Sequence, residues 1–529
     1  MSILSHFLNN DKQNIVGNLS DFFDNFIPTK LRRSCGLAKA ADRAMDISTD
    51  GEQLSFTDSM VINSNSVTGP VCSSEHIRNT QDYLGVPADT ILFDKIALPL
   101  VEDESFFRLW QLNKEAGITN AYQKDTWYRF DKMHANWEGL EIGVASNVIS
   151  HITANTDMHG YRGALAIDDS LFARRLGVHG GKNRGRVTEF LGIVYDHTDQ
   201  VKRIGFRMMT AVWTNGDTVP VTQALLSTRD EKLRIGSFDM GDGRTWEGKR
   251  RKTAVTSGTE VMVQMVQTAI QAGIEFDDVL ADTWFSKPAQ AIAVKKLGVN
   301  LIAMMSKGVT KFGVLPEGKK PGKTVKVDDL EWMNVNKIYS RSKKRRGASR
   351  YLLSVEAWIK DKEGTLYPVR LVFARNHSNR KQWVVFICTD TSLSETEILA
   401  RYGYRWNVER FFKMEKSYLG LQDCHSTSYD ALTARMVIAA LRFMFLTVQR
   451  FDSSDNRSIE QIFAQAKREV VGLLVENAMF YVMNIVFESV ERVLHPTKEQ
   501  MKELLLDFLD HLPEAIGGRF DREKVNQFA

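Results

Sequence analysis

Two short apolar runs, each ending in acid, constrain this chain's fold more than any other feature. One is Ala164-Leu-Ala-Ile-Asp-Asp169 and the other Asp278-Val-Leu-Ala-Asp282. An apolar run without alternation reads as a strand buried on both faces. Such a strand needs neighbours on either side and helices above and below it. The intervening segments supply them. Gly192–Tyr195, Ile204–Trp213 and Val219–Leu226 read as strands, and Asn215-Gly216 before the third suits a tight hairpin, since both residues tolerate positive φ. Thr256–Gly273 carries apolar residues at helical spacing (Val261, Val263, Met265, Val266, Ala269, Ile270). Pro288–Leu297 reads as a helix and Asn300–Met305 as a strand.

The order is three antiparallel-type strands, a helix, a strand ending in acid, a helix and a strand. It predicts an α/β chain built on a ribonuclease-H-like core. Five regions follow. Residues 1–150 form a mixed, mainly helical N-terminal region, with helical patterns at Asp11–Phe26 and Asp103–Gly117 and turn-rich Ile62–Ser74 between them. Residues 151–306 carry the first part of the core, 307–392 a β-rich basic insertion, and 393–450 the second part. Residues 451–529 are helical. In the insertion, Tyr351–Trp358, Val369–Ala374 and Trp383–Thr389 read as strands. Ser394-Glu-Thr-Glu397 is a capping box opening a helix that runs to about Ser417.

Composition excludes several classes. Apolar residues at 43% and charged residues at 25% are those of an ordinary globular chain, not a disordered or collagen-like one. The richest apolar stretch, Ala431–Val448, is interrupted by Arg435 and Arg442 and suits a buried helix better than a membrane span. The start MSILSHFLNNDKQN does not read as a secretory leader. Four scattered cysteines (Cys35, Cys72, Cys388, Cys424) make neither a disulfide framework nor a zinc ribbon. A reducing, cytoplasmic setting is expected, with no membrane. The net charge of +4 looks nearly neutral, yet Lys307–Arg350 alone carries a net +9. That block includes Lys343, Lys344, Arg345 and Arg346 and would suit DNA phosphates. A second basic cluster is Arg174, Arg175, Lys182, Arg184 and Arg186. Gly177-Val-His-Gly-Gly-Lys182-Asn fails the phosphate-loop pattern, so no nucleotide cofactor is expected.

Three carboxylates carry the chemistry. Asp169 and Asp282 each close a predicted strand and Glu409 lies on the capped helix. Such a set can hold two Mg²⁺ ions about 4 Å apart, one activating the attacking oxygen and one stabilising the leaving oxygen. Mg²⁺ takes carboxylates, water and phosphate, so no His or Cys cage is needed. Asp168 beside Asp169 leaves open which of the two takes part. Tyr402, Arg405, Glu409 and Lys416 fall within about 60° of one helix face at 100° per residue. A hydroxyl, a guanidinium, a carboxylate and an ammonium on one stripe can hold a metal and the phosphates around it. Each acid alone would equally suit a solvated loop, and Arg405–Glu409 alone a surface ion pair.

The spacing Tyr-x2-Arg-x3-Glu-x6-Lys from Tyr402 to Lys416 resembles the YREK signature of the insertion-sequence-4 group of DDE transposases. Leu165-Ala-Ile-Asp-Asp169-Ser and Val279-Leu-Ala-Asp282-Thr look like that family's first and second aspartate motifs. The resemblance covers about Gly163 to Ala440. It implies cut-and-paste DNA transposition, with phosphodiester hydrolysis and strand transfer at transposon ends. Asp169, Asp282 and Glu409 would then be the metal-binding catalytic triad, loaded with two Mg²⁺ or with Mn²⁺ in their place. Tyr402, Arg405 and Lys416 would bind end phosphates. Trp383 stands where family members stack a flipped base to make a hairpin intermediate, although Val-Val-Phe after it also suits a sheet core. The resemblance further implies double-stranded DNA partners (terminal inverted repeats and target), a homodimer in the synaptic complex, end binding by residues 1–150, dimerisation by residues 451–529 and a nucleoid-associated bacterial setting. The alternatives are a ribonuclease-H-like nuclease without strand transfer and a non-catalytic DNA-binding descendant of a transposase.

Overall fold

The computed structural model describes residues 15–35, 88–101, 106–107, 110–111, 123–158, 160–174, 187–196, 199–319, 325–345, 349–376, 379, 381–469, 490 and 493–511. Ile62–Ser74, the loop with Arg175, Lys182, Arg184 and Arg186, residue Arg346 and most of the helical pattern at 470–494 lie outside them. The chain divides into two compact units, residues 1–135 with 448–529, and residues 136–447.

The first unit contains helices α1 (Ile15–Phe26), α2 (Thr29–Ser34), α3 (Ala88–Val101) and α4 (Lys124–Phe130), and a late helix, Lys498–His511. Leu19, Phe22, Ile27, Leu92, Ile96 and Trp127 are buried there. Lys95 is fully buried too, 2.9 Å from Asp131 and 3.9 Å above the Trp127 ring. An ion pair and a ring face together take the place of its lost water.

The second unit is a mixed sheet with helices. It begins with α5 (Trp137–Ala154), which the sequence reading left in the N-terminal region. Strands β1 (Ala164–Ala173), β2 (Gly192–Asp196), β3 (Val201–Thr214) and β4 (Thr218–Leu226) follow. Helices α6 (Trp246–Ala254) and α7 (Gly258–Gln271) lead to β5 (Asp278–Ala281), α8 (Pro288–Lys296) and β6 (Asn300–Met305). The insertion holds β7 (Lys311–Val314), β8 (Glu331–Asn334), a helix α9 (Val335–Arg341), β9 (Tyr351–Lys360) and β10 (Leu366–Arg375). Then come β11 (Trp383–Cys388), α10 (Glu395–Gly403), α11 (Trp406–Ser417) and α12 (Tyr429–Asp452).

Among the described residues all eleven strands join one sheet, ordered β2-β3-β1-β5-β6-β11-β10-β9-β7-β8, with β4 on β3. The insertion is therefore an extension of the core sheet. The antiparallel β1–β3–β4 half meets the parallel β1–β5–β6 half at β1. Ala164–Ile167, Val279–Ala281 and Leu301–Ala303 are fully buried, as unbroken apolar runs require. Gly163 enters β1 at φ +95, and an added Cβ would stand 2.9 Å from the Thr214 carbonyl oxygen. Helix α12 is the one described helix long and apolar enough to cross a membrane, but 94% of that window is buried within the protein. Arg442, which interrupts its apolar run, donates to the Leu419 carbonyl.

Candidate active site

The site begins with strand register. β1 and β5 pair in parallel from Ala164 opposite Asp278 to Ile167 opposite Ala281. One step further along both chains stand Asp168 and Asp282. Registered neighbours in a sheet share a face, and alternation sends Asp169 to the opposite one. Pairing with β5 stops there, but β1 runs on to Ala173 against β3. The acids thus lie inside β1, where its parallel partner ends.

Helix α11 covers the Asp168 face. Arg405, just before its first turn, donates from Nη1 to Asp168 Oδ2 at 2.6 Å and from Nη2 to Glu409 Oε1 at 2.7 Å. Lys416, at the far end, donates to Ser170 Oγ and to the Leu171 carbonyl, both at 2.6 Å. Burial pushes the Asp168 carboxyl up to about 7; the charges of Asp282 and Asp169 add to this, while Arg405 and the Asp169 amide draw it back. Asp169 has other company. Arg207 of β3 grips both its oxygens, at 2.6 and 2.5 Å. Asp168, and not the Asp169 of the sequence reading, is the member of the pair that shares a corner with Asp282, Arg405 and Glu409.

Asp168 and Asp282 thus share one sheet face at the end of β5, and Arg405 links Asp168 to Glu409 on α11. Residues 250–444 match the transposase DDE domain. The matched segment holds Asp282 and everything from Tyr402 to Lys416, and Asp168 and Asp169 precede it. It spans well under half of the chain and supports a transposase acting on DNA. No curated protein matches the chain.

Within the matched segment the helix expected from Glu395 to about Ser417 is two helices, α10 and α11. Tight bonds from the Tyr404 amide to the Arg401 carbonyl and from the Arg405 amide to the Tyr402 carbonyl make the joint. Its capping box is present: the Glu397 amide donates to Ser394 Oγ, and the Ser394 amide to Glu397 Oε2. Tyr402 is buried, edge-on to Phe386, with its hydroxyl pushed up to about 12 by that burial. Burial likewise holds the Lys416 ammonium below its usual range. The stripe faces inward on the sheet. The solvent face of α11 carries Trp406, Arg410 and Lys413 instead.

Trp383 begins β11, half-buried, with its ring stacked on Tyr339 at 4.5 Å and Lys307 Nζ 4.2 Å from its centre. Lys344 lies over Tyr339, Lys343 is exposed, and Arg345 pairs with Glu395 at 2.6 Å. Arg346 lies outside the described residues. Arg174 donates to the Cys424 and Ser426 carbonyls, so it ties two loops together.

A second acid pair, which the sequence did not reveal, lies behind α11. Glu415 of α11 and Glu141 of α5 are both fully buried, and Gln223 of β4 binds both. Its amide nitrogen Nε2 donates to Glu415 Oε1 at 2.9 Å, and its backbone N–H to Glu141 Oε2 at 3.1 Å. Burial raises both carboxyls, Glu415 to about 8 and Glu141 well above its usual range, the latter further raised by Glu415. Only the meeting of three distant elements reveals this pair.

Proposed function

We propose that this chain is a metal-dependent DDE transposase of the insertion-sequence-4 type, with Asp168, Asp282 and Glu409 as its triad. The observation that carries this is the β1–β5 register, which sets Asp168 beside Asp282 and under the helix bearing Glu409. The strand order β4-β3-β1-β5-β6 supports a ribonuclease-H-like core. Asp169, bound on both oxygens by Arg207, would serve by holding that guanidinium.

The donor set fits a divalent cation. Asp168 and Asp282 face the same half-buried corner, and Asp168 holds its proton to about pH 7 there, a conflict that a bound dication would relieve. Among the described residues no three His, Cys, Asp or Glu side chains converge closely enough to hold a metal as they stand. Arg405 lies between Asp168 and Glu409, and Glu409 would join once that bridge opens. When bound, Mg²⁺ or Mn²⁺ would supply Lewis-acid activation of water and of the scissile phosphate. Arg405 would then be released towards a DNA phosphate, while Lys416 holds α11 to β1 at Ser170 and Leu171.

The reading includes cleavage and strand transfer at transposon ends, a homodimer in the synaptic complex, and a cytoplasmic setting. A hairpin intermediate belongs to it and would need Trp383 to part from Tyr339. The test is Mg²⁺-dependent end cleavage and joining by the full chain. Asp168→Asn and Glu409→Gln should each abolish cleavage and keep end binding, while Asp169→Asn should retain measurable cleavage. Normal cleavage by Asp168→Asn would sink the assignment. Cleavage without joining would favour the nuclease reading.

A further inference from the structure

Helix α11 brings Glu409 to the sheet, and much of what it rests on has no direction. Val408, Phe411 and Met414 are buried beneath it, and apolar contact depends on area and not on angle. Such a face alone would let the helix roll. Two hydrogen bonds stand in the same core. Asn407, in the first turn, donates from Nδ2 to Thr214 Oγ1 at the end of β3, at 2.7 Å. Eight residues on, Glu415 Oε1 accepts from Gln223 Nε2 of β4 at 2.9 Å, and the same amide nitrogen lies 3.3 Å from Thr210 Oγ1 of β3. All five residues are buried. Thr210 and Gln223 are register partners across the β3–β4 ladder, so both pins end on one hairpin.

At 100° and 1.5 Å per residue the two pins stand about 80° apart round α11 and about 12 Å apart along it. Glu409 lies about 160° from Asn407 and about 120° from Glu415, towards the rim of the helix. Lys416 also ties α11 down, but it lies within about 20° of Glu409 on the same stripe. The Arg405 bridge opens when a cation enters, on the reading above. The amide bonds are therefore the directional contacts that resist roll from the other side of the helix. With side-chain ends about 5–6 Å from the axis, a roll of about 10° would carry the Glu409 carboxylate about 1 Å. A site of this kind needs its groups held within about 0.5 Å.

We propose that Gln223 and Asn407 are positioning residues for the metal site: their amide bonds to Glu415 and Thr214 fix the roll of α11 and so the reach of Glu409 towards Asp168 and Asp282. The proposal rests on the reading of Glu409 as a metal ligand and adds how that ligand is aimed by residues that do not touch the metal. Glu415 keeps its proton to about pH 8. It is neutral below that, and a glutamine in its place can accept the same bond.

Mn²⁺ binding by the full-length chain, read from the electron paramagnetic resonance signal of the free ion, tests this without DNA or turnover. Gln223→Leu and Thr214→Val each remove one pin at similar volume. Each should weaken Mn²⁺ binding about tenfold to hundredfold, the range for losing an outer partner of a metal ligand. Glu415→Gln should bind within about twofold of the parent, because it keeps the accepting carbonyl. In a Glu409→Gln background neither Gln223→Leu nor Thr214→Val should weaken binding further, since their effect runs through that carboxylate. Circular dichroism melts show that each variant is folded at the assay temperature. Unchanged affinity in either pin variant, or the same loss with and without the Glu409 carboxylate, would overturn the proposal. If Glu409→Gln binds Mn²⁺ as the parent does, the metal-site reading itself falls and this role with it.

Discussion

Glu415→Gln should make the protein more stable, although it replaces an acid on the helix that bears Glu409. Glu415 is fully buried and holds its proton to about pH 8, against an ordinary value of 4.5. In the unfolded chain it ionises near that ordinary value. At pH 7 folding must therefore take up a proton across two and a half units, which costs about 3 kcal/mol at 1.36 kcal/mol per unit. Because the folded value is the higher one, the group's favourable contribution is complete below pH 4.5 and is lost as pH climbs from there to about 8. Glutamine has no such dependence. Its carbonyl can still accept the Gln223 Nε2 hydrogen bond, now 2.9 Å long. The gain should be about 3 kcal/mol at pH 7 and shrink below about 1 kcal/mol at pH 5. Guanidinium unfolding of both proteins at pH 5, 6, 7 and 8 measures this. A variant no more stable than the parent at pH 7, or a gain independent of pH, would refute the reasoning.

Two other substitutions probe the scaffold. Arg250 of α6 is buried and bridges Glu138 at 2.6 Å and Asp430 at 2.8 Å; Arg250→Ala takes this partner from Glu138 and leaves Asp430 to Arg251, and should cost about 1–3 kcal/mol in denaturant unfolding. Arg250→Lys should recover only part of this, since one ammonium cannot replace the planar fork. Gly163→Ala meets the Thr214 carbonyl oxygen at 2.9 Å with φ at +95 and should lower stability by about 1–3 kcal/mol. A melting temperature unchanged by that alanine would mean the entry to β1 is looser than described.

The two strands that carry the sheet acids were legible because burial on both faces leaves unbroken apolar runs. The Asn215-Gly216 turn and the Ser394–Glu397 capping box were legible because each is a local hydrogen-bonding problem with a local answer. The choice between Asp168 and Asp169 was not. Alternation says only that the two point opposite ways; the β5 register and the position of α11 decide which faces Asp282. Helix α6 (TWEGKRRKT region) escaped notice because it has no apolar stripe, and its buried Arg250 is accommodated by ion pairs instead. Helix α5 escaped for another reason: its buried residues line one face (Trp137, Leu140, Val144, Val148, Ile152), but the acid Glu141 stands among them and blurs the apolar stripe.

The continuity of the sheet makes it a ruler. From β5, with Asp282 at its end, to the outer strand β8 there are six steps along the hydrogen-bonding direction. At about 4.8 Å per step that is about 29 Å measured along the sheet. A duplex laid the same way rises about 3.4 Å per base pair, so it would pass about eight pairs between the acids and the far edge of the insertion. As far as β9 that interval is set by a continuous backbone ladder; from β9 to β7 it rests on one pair, Gly313 opposite Trp358. Lengthening or shortening the insertion by a pair of strands would rescale it in steps of about 10 Å, close to three base pairs each.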